Sequence, residues 1–242
     1  FHNEGLCCIP CVPGDKNPSF EALGGKIIDG KPVGGEWKPY QTHRSTLEEI
    51  NHWWANGFKK DFNIGIVHGP VSDNYTALDI DEDNGVADLL YENKPELCTG
   101  RIEQSGSGRG YHIPIQVDTL PDWGLDKNNE PVGNKTWKVY QGEVYLGKIN
   151  IRATRCQTVA PPSLHPSGGL YRYVQNGPIT RIANYDPLIE WLNSVSIYTD
   201  PTQLKQGIVG KLHGAEFVET NNGYSLVFIL LGFSTSLLLI LE

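Results

Sequence analysis

Methionine does not occur anywhere in the 242-residue chain, which begins at Phe1. With the turn-rich opening stretch, this reads as a fragment of a longer protein. FHNEGLCCIPCVPG has neither the basic start nor the long apolar centre of a secretory signal, which predicts an intracellular, cytoplasmic protein. Cysteine is scarce. Cys7, Cys8 and Cys11 cluster, but Cys98 and Cys156 stand alone, so no second close pair completes a tetrahedral site and structural zinc is not expected. Basic residues are outnumbered, 20 Lys and Arg against 28 Asp and Glu, for a net charge of −8. That balance ordinarily speaks against a nucleic-acid partner, because phosphate binding draws on Lys and Arg. Internal repeats are absent. The one long uncharged run, residues 224–241, is interrupted by Ser225, Ser234, Thr235 and Ser236 and is followed by no basic residue. It is read as the apolar edge of a truncated helical extension over 191–242, not as a membrane span.

What the chain does have is enough apolar residue, 39%, to bury a sizeable core. Its charge is also unevenly spread. Residues 79–103 carry eight acids against Lys94 and Arg101, whereas residues 135–155 carry Lys135, Lys138, Lys148, Arg152 and Arg155 against Glu143 alone. An acidic centre with a basic flank suits a site that holds cations and an anionic substrate together. Lys135, Lys138, Lys148 and Arg155 are the expected nucleic-acid contacts.

Periodicity and punctuation predict strands at LCCIPCV, NIGIVHG, YTALDID, RIEQS and YHIPIQV, with a further strand group over 135–174. Helices are predicted at STLEEINHWWANG, capped by Ser45 with Glu48 three residues on and closing at Gly57, at VADLLYENKP and at DPLIEWLNSV. This order of mixed strands and helices predicts an α+β (mixed α/β) domain over 1–190.

Three stretches carry chemistry. In YTALDID, strand alternation sends Asp79 and Asp81 to one face while Leu78 and Ile80 pack into the core. Two carboxylates this close repel unless a cation lies between them, and hard oxygen ligands suit magnesium or manganese. SGSGRGYH is a small-residue turn, Ser105, Gly106, Ser107, Gly108, Arg109 and Gly110, whose backbone N–H groups can approach phosphate, with His112 on the strand after it. INIRATRCQTVAPPSLHPSG places Arg152 on a strand leading to a proline-stiffened turn with Ser163 and His165.

In order and spacing these stretches resemble the bifunctional primase/polymerase (Prim-Pol) domain of the archaeo-eukaryotic primase superfamily. The likeness covers roughly residues 6–175 and includes Lys16 and Pro18 of a Lys-x-Pro turn, Trp37, Trp53 and Trp54, the NIGI strand, the DxD strand, the small-residue turn with its His, and PPSLHPSG. It implies a primase-like fold, an RRM-like sheet plus an N-terminal α/β module with the active site in the cleft between. It also implies metal-dependent nucleotidyl transfer from NTP or dNTP to a 3′-hydroxyl on a single-stranded DNA template. By the resemblance, Asp79 and Asp81 hold two magnesium or manganese ions. His112, the 105–110 turn and Arg152 hold the triphosphate, and Ser163 and His165 border the same pocket.

One position departs from the family pattern. The third acid, eleven residues before the first proline of the PPS turn, is Asn150. An amide oxygen can ligate a metal but brings no charge. Beside a replicative phage or plasmid primase/polymerase stand two alternatives: a nucleotide- or nucleic-acid-binding module whose catalysis Asn150 impairs, and a metal-dependent nuclease, since paired aspartates and a histidine also serve hydrolysis. A helicase partner domain is expected by analogy alone.

Overall fold

The computed structural model describes residues 1–56 and 61–196, together with the backbone of 215–220 and 223–228. Its elements run β1 (Cys7–Cys11), β2 (Lys26–Ile28), β3 (Lys31–Val33), α1 (Leu47–Ile50), β4 (Asn63–Val67), β5 (Tyr75–Asp81), α2 (Val86–Asn93), β6 (Ile102–Gln104) and β7 (Tyr111–Val117). There follow β8 (Asn134–Gln141), β9 (Val144–Arg152), β10 (Gln157–Ala160), β11 (Arg172–Gln175), β12 (Thr180–Ile182), α3 (Asp186–Val195), β13 (Ala215–Thr220) and β14 (Gly223–Phe228). Helix and strand alternate as an α+β domain. Among the described residues no helix is long and apolar enough to cross a membrane.

The larger sheet has the order β11-β6-β7-β5-β9-β8, with β12 parallel to β7. Its strand β5 is antiparallel to β7 on one side and to β9 on the other. Alternation gives the sheet two unlike faces. Leu78, Ile80, Ile113, Ile115, Trp137, Ile149 and Ile151 bury one face against Val86 and Leu90 of α2 and Leu188 and Leu192 of α3. Each of the larger aliphatic side chains contributes roughly 1.5–3 kcal/mol by leaving water. Thr76, a polar residue on that apolar face, is tied to Ile115 O and to the Tyr185 hydroxyl. The opposite face carries Asp79, Asp81 and their neighbours.

A three-stranded sheet, β1-β4-β10, completes the unit. All five residues of CCIPC are buried in it. Cys7 and Cys8 alternate to opposite faces of β1, and burial pushes the Cys8 and Cys11 thiols up to about 12, so both are protonated core residues. Asn63 at the start of β4 joins two distant turns: its Nδ2 donates to Asp15 O and to Leu164 O, and its Oδ1 accepts from Leu164 N.

Three sequence expectations shift. The first helix is capped by Thr46 with Glu49, not by Ser45 with Glu48. The Ser45 hydroxyl is buried and accepts from Cys8 N instead. That helix makes one α turn and continues as a π-helix, Asn51–Asn56; Leu47 at its start is exposed, and its expected end at Gly57 lies outside the described residues. The expected boundary at 190 falls inside α3, because Leu188 and Leu192 pack into the same core, and the first compact unit runs Phe1–Ile197. In the second unit, Tyr198–Glu242, the expected helical extension is instead an antiparallel pair, β13 with β14, over its described part. Phe217, Val218, Tyr224 and Val227 in these strands are residue types that favour extended backbone. The rest of the apolar tail lies outside the described residues.

Candidate active site

Cross-strand register builds the site. Thr136 of β8 pairs with Asn150 of β9, Asn150 with Asp79 of β5, Asp79 with His112 of β7, and His112 with Glu103 of β6. Directly opposed residues share a face, so these five form one polar row across the sheet. Asp81, Lys148 and Lys138 form the next row toward the sheet's end.

Asp79 is buried and fully engaged. Arg152 Nε and Nη2 approach its Oδ2 at 2.6 and 2.5 Å, and His112 Nε2 lies 3.5 Å from its Oδ1. The other ring nitrogen of His112 lies 3.8 Å from Glu103, an ion-pair and not a hydrogen-bond distance. Burial pushes the imidazole pKa down, but Glu103 and Asp79 outweigh it and leave His112 raised above its ordinary value. His112 thus lies buried between two carboxylates, its Nδ1 without a hydrogen-bond partner among the described residues.

Asp81 differs. It is half-buried and makes no ion pair among the described residues, because Lys148 turns to Glu82 at 2.9 Å. Burial, with the Asp79 charge adding to it, raises its pKa. Among the described residues its side-chain hydrogen bond comes from Asn150, whose Nδ2 donates to Asp81 Oδ2 at 3.2 Å while its Oδ1 accepts from the Thr136 hydroxyl. The partners fix the amide orientation, since the carboxylate can only accept.

Two cavities open on this face. A narrow one of about 80 Å³ is lined by Lys16, Asp79, His112, Arg152, Gln157 and Tyr171, and the buried Tyr171 hydroxyl has no hydrogen-bond partner among the described residues. A wide one of about 620 Å³ is lined by Asp81, Glu82, Asp83, Ser107, Arg109, Gly110 and Lys148. Among the described residues no group of three metal-ligating side chains gathers; Asp81 stands without an ion pair, and Asp79 beside it is held by Arg152 and His112. At the third position, Asn150 presents N–H to Asp81 in place of a ligand oxygen.

The 105–110 turn is not the backbone cradle expected. The N–H groups of Ser105, Ser107, Gly108 and Arg109 are spent on Gly110 O, Ser105 and Ser107 within the turn. Its glycines serve close packing: a Cβ on Gly110 would sit 2.3 Å from Ile80 O, and one on Gly106 would sit 2.4 Å from Gly169 O. What faces the wide cavity is the Ser107 side, Gly110 and the Arg109 side chain. Ser163 is structural, its buried hydroxyl accepting from Ile64 N. His165 sits at the rim, bonded to Ser167, and its ring is 5.7 Å from Tyr171, which is 5.7 Å from His112.

The four expected nucleic-acid contacts do not form one surface. Lys138 and Lys148 are directly opposed on the site face. Lys135, three residues from Lys138, alternates to the other face and lies over the Trp137 ring. Arg155 is paired with Glu130.

Glu103, Thr136 and Tyr171 belong to the site and were not singled out by sequence. Glu103 lies in the predicted RIEQS strand next to the His112 strand, which was a usable signal. For Thr136 only the register could have shown it.

A family model described as bifunctional DNA primase/polymerase, N-terminal, matches residues 1–188. No curated protein matches the chain.

Proposed function

The chain belongs to the bifunctional DNA primase/polymerase family, and on that premise we propose that its polar sheet face carries out metal-dependent nucleotidyl transfer on a single-stranded DNA template. The observation that supports this most is the row Glu103–His112–Asp79–Asn150, which sets a buried imidazole between two carboxylates, with His112 and Asp79 lining the narrow cavity and Asp81 of the next row lining the wide one. Asp79 and Asp81 would hold magnesium or manganese. When bound, such ions neutralise triphosphate charge and favour attack by a 3′-hydroxyl on the α-phosphate.

The chain's own residues do the rest. His112, set between Glu103 and Asp79, lines the narrow cavity, where its Nε2 could turn from Asp79, 3.5 Å away, to a triphosphate oxygen. The unpartnered Tyr171 hydroxyl and Lys16 offer further donors there. Arg152 holds Asp79 rigid with a two-pronged contact, so it orients the ligand and is not free for phosphate. In the wide cavity Arg109 supplies positive charge opposite Asp81 and Glu82. The cleft between the RRM-like larger sheet and the β1-β4-β10 module is where nucleotide and template meet in this reading.

Nucleotide incorporation on primed and unprimed single-stranded templates, with magnesium and manganese in parallel, tests the reading. Metal-dependent extension is expected, and its absence in both metals sinks it. A second reading is favoured by the Asn150 amide directed at Asp81: a family member that binds nucleotide and has weakened catalysis. Nucleotide binding without incorporation would select it. Intracellular action within a phage or plasmid replicon, and a helicase partner, belong to the same proposal.

A further inference from the structure

The register sets Lys148 of β9 directly opposite Asp81 at the end of β5, and opposite Lys138 of β8 on its other side. Directly opposed side chains share a face and lie within reach of one another. Repulsion from Lys138 and attraction to Asp81 therefore both favour a Lys148–Asp81 ion pair. The structure holds a different one. Lys148 Nζ lies 2.9 Å from Glu82 Oε1, and among the described residues Asp81 is left with the Asn150 amide.

The cause lies in the backbone of Glu82. It is the first residue past β5, where continued alternation would send its side chain to the apolar face with Leu78 and Ile80. Instead its φ is +56°, a left-handed conformation uncommon outside glycine, and its side chain lines the wide cavity beside Asp81. Three features keep it there. Gly147 of β9 leaves room for the turn, since a Cβ at that position would sit 2.7 Å from Glu82 O. The Tyr145 hydroxyl donates to Glu82 Oε2 at 3.0 Å, so each carboxylate oxygen has its own donor. The residues that follow are pinned as well, Asp83 N donating to Arg109 O and Asn84 N to Leu146 O. A left-handed residue persists where its surroundings over-determine it, as these do.

We propose that Glu82 is a positioning residue that diverts Lys148 from Asp81 and so keeps Asp81 open to a divalent cation. Without Glu82, Lys148 closes on Asp81, and an entering cation must first break that ion pair. Glu82 thus acts through Lys148 and is not itself a ligand. The inference rests on the proposed function, in which Asp81 takes part in holding the metal. Arg109 lines the same cavity but is common to every variant compared below.

Manganese alone is titrated, with electron paramagnetic resonance as the readout, into wild type, Glu82→Gln, Lys148→Gln, the double variant and Asp81→Asn. The Glu82 and Lys148 side chains are 57% and 31% exposed, so their substitutions leave the core untouched. Glu82→Gln should weaken manganese binding roughly fivefold, the upper range of what an exposed ion pair is worth. Lys148→Gln should bind close to wild type, because the wild-type lysine is already turned away. In the Lys148→Gln background, Glu82→Gln should have no further effect, and that dependence on the lysine is the mark of action through it. An equal loss from Glu82→Gln in both backgrounds would make Glu82 a ligand or a plain source of charge and overturns the inference. So does a Glu82→Gln variant that binds like wild type. If manganese binding is lost in Asp81→Asn while Glu82→Gln changes nothing, the positioning role fails and the functional reading stands. If wild type binds no manganese, both fall.

Discussion

Asn150 turns its nitrogen, not its oxygen, toward Asp81: the amide donates to the carboxylate at 3.2 Å while Thr136 holds the oxygen from behind. The residue thus partly stands in for a cation at Asp81. Asn150→Asp keeps the Thr136 bond, removes the donor and adds a third carboxylate. Manganese counted by electron paramagnetic resonance should rise in stoichiometry or affinity, and the metal-free protein should melt at lower temperature. The rate in magnesium should increase by about tenfold if the change is worth about 1.4 kcal/mol in the transition state. Unchanged manganese binding would remove Asn150 from the metal site.

The two aspartates should behave differently in the metal-free protein. Asp79→Ala leaves Arg152 without its carboxylate and His112 with only one, and should destabilise the fold by about 2–3 kcal/mol, since Arg152 retains some solvent contact. Asp81→Ala removes an unneutralised charge and should be near neutral or mildly stabilising. Both should abolish incorporation. Urea unfolding of the two variants reads the contrast, and equal losses would contradict the assignment of Arg152 to Asp79 alone.

His68 gives a pH dependence with a defined sign. It is fully buried between Arg152 O and the Thr158 hydroxyl, and burial lowers its pKa from 6.5 to about 3. The unfolded chain therefore binds a proton that the folded chain refuses. Its contribution is complete above pH 6.5 and is lost as pH falls toward 3, with a slope of up to about 1.4 kcal/mol per unit. His68→Gln should flatten this limb in denaturant titrations at fixed pH values. A variant with the wild-type slope would show that other groups set it.

Salt dependence should follow the faces of the sheet. Replacing Lys138 and Lys148 together by Gln should reduce the slope of log affinity against log salt for a single-stranded oligonucleotide by about 0.7, the value of roughly one phosphate contact, since Lys148 is already paired with Glu82. Replacing Lys135 and Arg155 should leave it unchanged, because one lies on the opposite face and the other is paired with Glu130. The reverse result would place the template on the other face of the sheet.

Much of this was legible from residue order. Alternation along YTALDID separates Asp79 and Asp81 from Leu78 and Ile80, and DPLIEWLNSV carries its helix complete. What order alone does not contain is which strand lies beside which, and at what register. Glu103 joins the site only because β6 sits next to β7, and Lys135 leaves it because an odd spacing from Lys138 reverses its face. Ser45 fails as a cap for a similar reason: a contact with Cys8, 37 residues away, claims its hydroxyl first. The small-residue turn was read as a ligand loop because glycine permits close approach, but here the approaching partner is the protein's own β5 and 165–169 turn.

Asn63 commits its side-chain nitrogen to one turn on each side, Asp15 of the Lys16 loop and Leu164 of the PPSLHPSG loop. The Lys16 loop and the PPSLHPSG loop are thus tied to the same side chain of a central strand, and either one must break a bond to this amide to move away from it.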